Sequence, residues 1–184
     1  MPLKSLFVCA VLVITGPAAA RAQGAAPSPL EPPDARVAVM DVALYNAQAN
    51  VQEPSDSEKA ALATTVLDST LTNLLPGQVV DTAEIGKAAG ASPGCNVVVT
   101  CARGTARAVD AAWVVLAKVS KTSNLIWLLS AQLVHAPTGT IILDDTTELK
   151  GEPEAMVRAG TRIFAERVAR TMRAGGVTTN FPTP

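Results

Sequence analysis

Aromatic residues are scarce in this sequence: three Phe, two Trp and one Tyr make up 3% of 184 residues. Platforms on which nucleic-acid bases stack are correspondingly few. An excess of basic charge is missing too. Fifteen Lys and Arg stand against 16 Asp and Glu, a net charge of −1. That leaves no electrostatic footprint for nucleic acid and no polybasic cluster for an anionic membrane surface. His135 is the only histidine, and Cys9, Cys95 and Cys101 are the only cysteines. A structural zinc site takes about four N/S ligands and a catalytic one about three plus water. Asp144 and Asp145 lie near His135 in sequence, but consecutive strand residues face opposite ways. His135 itself reads as a polar residue entering the Ala136-Pro137 turn. There is no G-x-S-x-G elbow, no G-x-G-x-x-G and no P-loop. Gly86, Gly90 and Gly94 fall near helix ends and turns, where their conformational freedom accounts for them. No metal, cofactor or catalytic residue is expected.

What is present is apolar aliphatic material. Hydrophobic residues make up 48% and charged residues 17%, enough for a core of Val, Leu, Ile and Ala and too apolar for wholesale disorder. The N-terminus reads as an export signal. Lys4 supplies a positive start, Leu6 to Thr15 is a short apolar run, and Ala20-Arg21-Ala22 offers an A-x-A cleavage site before Gln23. The run is shorter than the ~20 residues of a membrane span, so no stable span is expected once Ala22 and Gln23 are separated. Cys9 lies inside the run and is expected to be discarded with it. Cleavage removes Lys4 and Arg21 and no acid. The basic count falls to 13 against 16 acids, and the net charge to −3. The expected layout is a signal peptide over 1–22, a proline-rich linker over 23–35, one domain over 36–174 and a loose tail over 175–184.

Periodicity within the domain predicts a mixed α/β (α+β) fold with about five strands in the order β-α-β-α-α-β-β-β-α. Arg36 to Val42 is apolar on both sides, as in a strand covered on both faces. Ser55-Asp56-Ser57-Glu58 has capping-box spacing, followed by Leu62, Val66, Leu67, Leu71, Leu74 and Leu75 at helical intervals and a Pro76-Gly77 stop. Gln78 to Val80 reads as a second strand, parallel to the first. Asp81 reads as the cap of a brief helix ending around Gly90. Asn96 is placed to cap the next helix, whose Arg103 and Arg107 share one flank and read as a solvated surface. Three strands joined by two short turns then form an antiparallel meander. It puts Trp113 and Trp127 at buried alternating positions of neighbouring strands. The last helix follows Pro153. Its apolar stripe is Met156, Gly160, Ile163, Phe164, Val168 and Met172, opposite Arg158, Arg162, Glu166 and Arg170.

Cys95 and Cys101 remain. Both inside one helix, their Cα atoms would stand about 9 Å apart, beyond the ~7 Å limit for a disulfide. A bond therefore requires Cys95 to lie outside the helix and curl back, which Pro93-Gly94 permits. An oxidising compartment favours the bond, and the C-x-x-C spacing of redox pairs is missing. The expected site is a structural disulfide between Cys95 and Cys101, with a thiol redox pair as its rival.

Cys95, Cys101-Ala102, Ala106-Arg107, Ala111-Ala112-Trp113-Val114-Val115, Lys118-Val119-Ser120, Leu125-Ile126, Thr138-Gly139 and Gly151 together resemble a family of small predicted secreted proteins of unknown function from Gram-negative bacteria. That family is distantly similar to the α/β amino-terminal domain of TolB and to related envelope-assembly domains. The resemblance covers roughly residues 36–172. The chain departs from the pattern after Gly151, where Val157-Arg158 stands in place of the usual tryptophan and arginine. The resemblance implies a periplasmic α/β module that binds an envelope protein and catalyses nothing, with oligomeric state unspecified. Two other functions compete with it: thiol redox chemistry at Cys95 and Cys101, and binding of a small ligand between sheet and helices.

Overall fold

A computed structural model describes residues 28–46, 53–90, 94–123, 126–149 and 153–177. The elements run β1 (Val37–Val39), β2 (Ala43–Asn46), α1 (Pro54–Leu74), α2 (Thr82–Ala89), α3 (Val99–Ala108), β3 (Trp113–Lys121), β4 (Trp127–His135), β5 (Ile141–Leu149) and α4 (Pro153–Arg173). They form one five-stranded mixed sheet. β1 and β2 both pair with β3 in parallel, and β3, β4 and β5 form the antiparallel meander. The export signal over 1–22, including Cys9 and the Ala22-Gln23 junction, lies outside the described residues.

Two strand expectations need correction. The single first strand is two. Val39 pairs with Val115 and Ala43 with Lys118, so four steps on one side oppose three on the other. This is a bulge. Its cause is a contact with α1: the Val42 amide donates to Thr64 Oγ1 at 2.9 Å instead of extending the ladder. The second correction concerns Gln78 to Val80, which forms only an isolated parallel bridge, Val37 to Val79. Val37 N donates to Gln78 O and Val80 N to Val37 O. The direction matches the sequence pattern, but Asp81 immediately starts α2, its side chain accepting from Ala83 N at 2.7 Å.

One face of the sheet carries α1 and α4. Trp113, Val115 and Val119 of β3 and Leu129 and Leu133 of β4 pack there against Leu67, Leu71, Phe164 and Val168. Trp113 and Trp127 are both buried on adjacent antiparallel strands. The α4 stripe is Val157, Phe164, Ala165, Val168, Ala169 and Met172. Ile163 does not belong to it and is 59% exposed; the buried residues centre on the 157, 164 and 168 line, from which it is turned away. The other face is covered only in part. α2 and α3 pack on β1 and the first half of β3 through Ile85, Ala102 and Ala106. Beyond them, Lys118, Ser130, Gln132, Asp144 and Thr146 lie on an open polar stretch of sheet.

The start of α1 is not where the Ser55 capping-box spacing places it. The cap is Glu53, with Pro54 in the first turn, and Asp56 Oδ2 accepts from the Glu53 amide at 3.0 Å. Asp56 is fully buried because it does a second job. Lys121 Nζ, at the end of β3, donates to its Oδ2 at 3.1 Å and its Oδ1 at 3.3 Å. Lys59 and Lys121 also stand 4.8 and 5.5 Å from the Trp127 ring centre. The ring's negative face favours both cations. A helix start, a strand end and a hairpin are thereby tied at one point.

Candidate docking face at the disulfide loop

Among the described residues, exposed apolar side chains gather where the segment carrying Cys95 meets β2. Gly94, at φ 85°, begins a tight turn in which Val97 N and Val98 N both donate to the Gly94 carbonyl, at 3.0 and 2.9 Å. Only a residue without Cβ adopts that φ without strain. Cys95 is buried against Ala102 and Ala106, and it is joined to Cys101 in the first turns of α3 with Cα atoms 4.9 Å apart. Cys95 thus stands outside the helix. Asn96 is not the helix cap: it lies in the turn, and Val98 occupies the cap position without a capping side chain. Asn96 is displaced because two consecutive amides are already spent on Gly94.

With its root sewn to the core, the loop holds Val97 and Val98 outward, each 48% exposed. Tyr45 of β2 stands nearby at 58% exposure, and the Lys118 ammonium lies 5.9 Å from its ring centre. Val97 and Lys118 form a ridge between two open grooves. One, about 520 Å³, runs along Val42, Leu44 and Tyr45; the other, about 360 Å³, runs over Ser130, Gln132 and Asp144. The arrangement offers aliphatic and aromatic anchors beside a polar strip with one cation. That is the make-up of a protein-contact face.

The two rival readings of this region bear on the sulfurs and on the space between sheet and helices. Redox exchange needs an accessible sulfur; Cys95 is 5% exposed and Cys101 half-buried, and the two are closed as a disulfide. A small-ligand site between sheet and helices needs space there: under α1 and α4, Trp113, Leu67, Leu71, Leu133 and Met172 fill it, and on the other face a cleft of about 180 Å³ opens between the end of β1 and α2, lined by Val39, Met40, Ile85 and Cys95.

The remaining residues singled out from sequence have structural partners. Arg103 and Arg107 are not simply a solvated flank: Arg103 Nε donates to Ala136 O and its Nη2 to Pro137 O, both at 2.9 Å, and Arg107 Nη2 reaches Pro137 O at 3.0 Å. They clamp the β4–β5 turn to α3. Asp145 pairs with Arg167 of α4, while Asp144 faces the open side of the sheet. His135 is buried, with Nδ1 2.8 Å from Thr138 Oγ1 and Nε2 2.8 Å from Glu31 Oε1. A hydroxyl, an imidazole and a carboxylate in line have the connectivity of a nucleophile relay. Here, however, Thr138 Oγ1 is also bonded to Thr140 Oγ1 and accepts from the Thr140 amide, so the hydroxyl is spent on holding the turn. Among the described residues, no three His, Cys, Asp or Glu are grouped to hold a metal ion.

The sequence pattern of the DUF3280 family, described as proteins of unknown function (DUF2380), matches residues 35–168. The chain belongs to this family. The matched span in this DUF3280 protein runs from two residues before β1 into α4, so it contains the sheet, the disulfide loop and Tyr45. No curated protein matches. Among solved structures, the chain is similar to the C-terminal domain of LpoB from Escherichia coli at 25% identity, covering 64% of this chain and 84% of that one, with a TM-score of 0.49. It is similar to PelC from Paraburkholderia phytofirmans, crystallised as a dodecamer, at 14% identity over 79% and 91% of the two chains, TM-score 0.46. It is also similar to TolB from Acinetobacter baumannii at 13% identity over 83% of this chain and 31% of that one, TM-score 0.44.

Proposed function

We propose that this DUF3280 protein is an exported, non-catalytic module of the bacterial envelope that binds another envelope protein through the face made by Tyr45, Val97, Val98 and Lys118. The observation that carries this reading is the pinned loop. Two valines held half-exposed, Val97 beside Tyr45, cost solvation in the free chain, and burying them against a partner recovers roughly 25 cal/mol per Å² of apolar surface. A disulfide at the loop's root lowers the ordering cost of binding, because the anchors are already in place. The export signal ending at Ala22 puts the Cys95–Cys101 bond in a compartment where it persists. No helix among the described residues is long and apolar enough to cross a membrane.

The reading is tested in cells. The chain carries a photo-crosslinking amino acid at Val97, and the mass of the mature product is measured in the envelope fraction. The reading expects a mature chain beginning at Gln23 and a discrete protein adduct. A chain that keeps Lys4, or a probe at Val97 that reacts no more than one at exposed Arg158 on α4, contradicts it.

A further inference from the structure

The stretch expected to be linker does not stay clear of the domain. From Pro29 to Pro33 it lies as a strap across the end of α4. Gly175 O accepts from the Leu30 amide at 2.7 Å and from the Glu31 amide at 3.4 Å. Glu31 Oε1 accepts from His135 Nε2 at 2.8 Å. The bed beneath is shaped for bare backbone. A Cβ on Gly175 would fall 2.7 Å from Glu31 O and closer still to Pro29 Cβ, and one on Gly176 would stand 2.5 Å from the Trp113 ring and 3.2 Å from Leu30 Cδ1. Both glycines also have positive φ, 65° and 83°. Gly175-Gly176 therefore does more than stop a helix: it opens a cradle floored by Trp113, whose ring centre is 5.1 Å from that of His135.

The strap itself is lightly held. Leu30 is 46% exposed, and Pro29, Pro32 and Pro33 are exposed. The segment has no regular structure beyond a turn in which Ala35 N donates to Pro32 O. Few buried contacts and a short hydrogen-bond list mark a segment that opens at low cost. Its prolines keep it extended when free, so little entropy is lost on docking.

We propose that the cradle of Trp113, His135, Gly175 and Gly176 is a peptide-binding site for an extended aliphatic–glutamate–proline segment, occupied in cis by this chain's own Leu30-Glu31-Pro32. The aliphatic side chain rests over Gly176 and the Trp113 edge. The carboxylate takes the imidazole N–H. The two backbone amides read the Gly175 carbonyl, and the prolines supply the extended form. Tethering gives the cis segment an effective concentration of the order of mM, so it blocks the site against weaker free peptides.

The experiment uses the full mature chain with its strap disabled by Leu30→Asp and Glu31→Lys, and a synthetic peptide spanning residues 28–36. Binding is followed by NMR at the Gly175 and Gly176 amides and the Trp113 indole. The expected result is saturable shifts in the disabled chain and at least several-fold smaller shifts in the wild type, where the cis strap competes. A peptide carrying Lys at the Glu31 position should not bind. Glu31→Ala alone serves if the double variant fails to fold. No shifts in a folded, strap-disabled chain overturn the proposal. So do equal shifts in wild type and variant, or equal binding of the lysine peptide.

Discussion

Asp56 shows what a single side chain decides here. It is a carboxylate with no exposed surface, holding the Glu53 amide and the Lys121 ammonium together. Breaking a buried pair typically costs ~3–5 kcal/mol, and Lys121 would keep only the more distant Glu53 carboxylate, at 3.8 Å, of these two acids. Asp56→Ala should therefore lower stability by about that much in urea unfolding, while Asp56→Leu combined with Lys121→Met recovers most of the loss. Asp68 behaves in the opposite sense. Burial, helped by the nearby charge of Asp81, raises its pKa above the ordinary 3.8. The folded state thus favours the protonated form. Asp68 supports the fold fully only below the unfolded pKa, and that support is lost as pH rises through the folded pKa. Asp68→Asn is expected to raise the melting temperature at pH 7, with an advantage that shrinks as the pH falls towards 3.8. Thermal melts of both proteins across that range check the sign. Neither residue could be assigned this role from sequence. Asp56 sat inside a capping-box pattern that pointed to Ser55, and its partner Lys121 is 65 positions away.

Elements were legible where periodicity is long and breakers are sharp. The three meander strands and α4 follow from alternation, Pro-Thr-Gly and Gly-Gly. The bulge between β1 and β2 was not, because it depends on Thr64 of α1 taking the Val42 amide, a tertiary event. The brevity of the Val79 bridge was hidden for a similar reason: Gln78-Val79-Val80 looks like a strand until the adjacent cap claims the chain. The disulfide loop was half legible. Sequence required Cys95 to be non-helical for any bond, and the structure places it in a turn ahead of α3. The exposure of Val97 and Val98 had no sequence signal, since apolar residues beside a cysteine read as core. Cys95→Ser with Cys101→Ser should fold, with a stability loss of roughly 2 kcal/mol because the closed ring is short. The amides of Val97 and Val98 should exchange faster while those of β3 stay protected. Hydrogen exchange with calorimetry measures both.

At the scale of the molecule, the two faces of the sheet have different tasks. α1 and α4 bury most of one face, up to β5, whereas α2 and α3 leave the far half of the other bare. The disulfide loop hangs at the border between covered and bare sheet, beside the β2 edge. That asymmetry places apolar anchors next to a polar strip without weakening the core. The layered α/β class was readable from element order, but which half of a sheet is left uncovered depends on helix lengths and crossings that no local pattern encodes. The central claim is that the face around Val97 contacts an envelope protein. It is tested most directly by crosslinking from Val97 in cells, comparing the otherwise wild-type chain with one carrying Tyr45→Ser and Lys118→Glu. Both substitutions are on exposed positions, so the melting temperature should hold. The account predicts a discrete adduct whose yield falls at least several-fold in the substituted chain. An unchanged yield in a folded, substituted chain would contradict it.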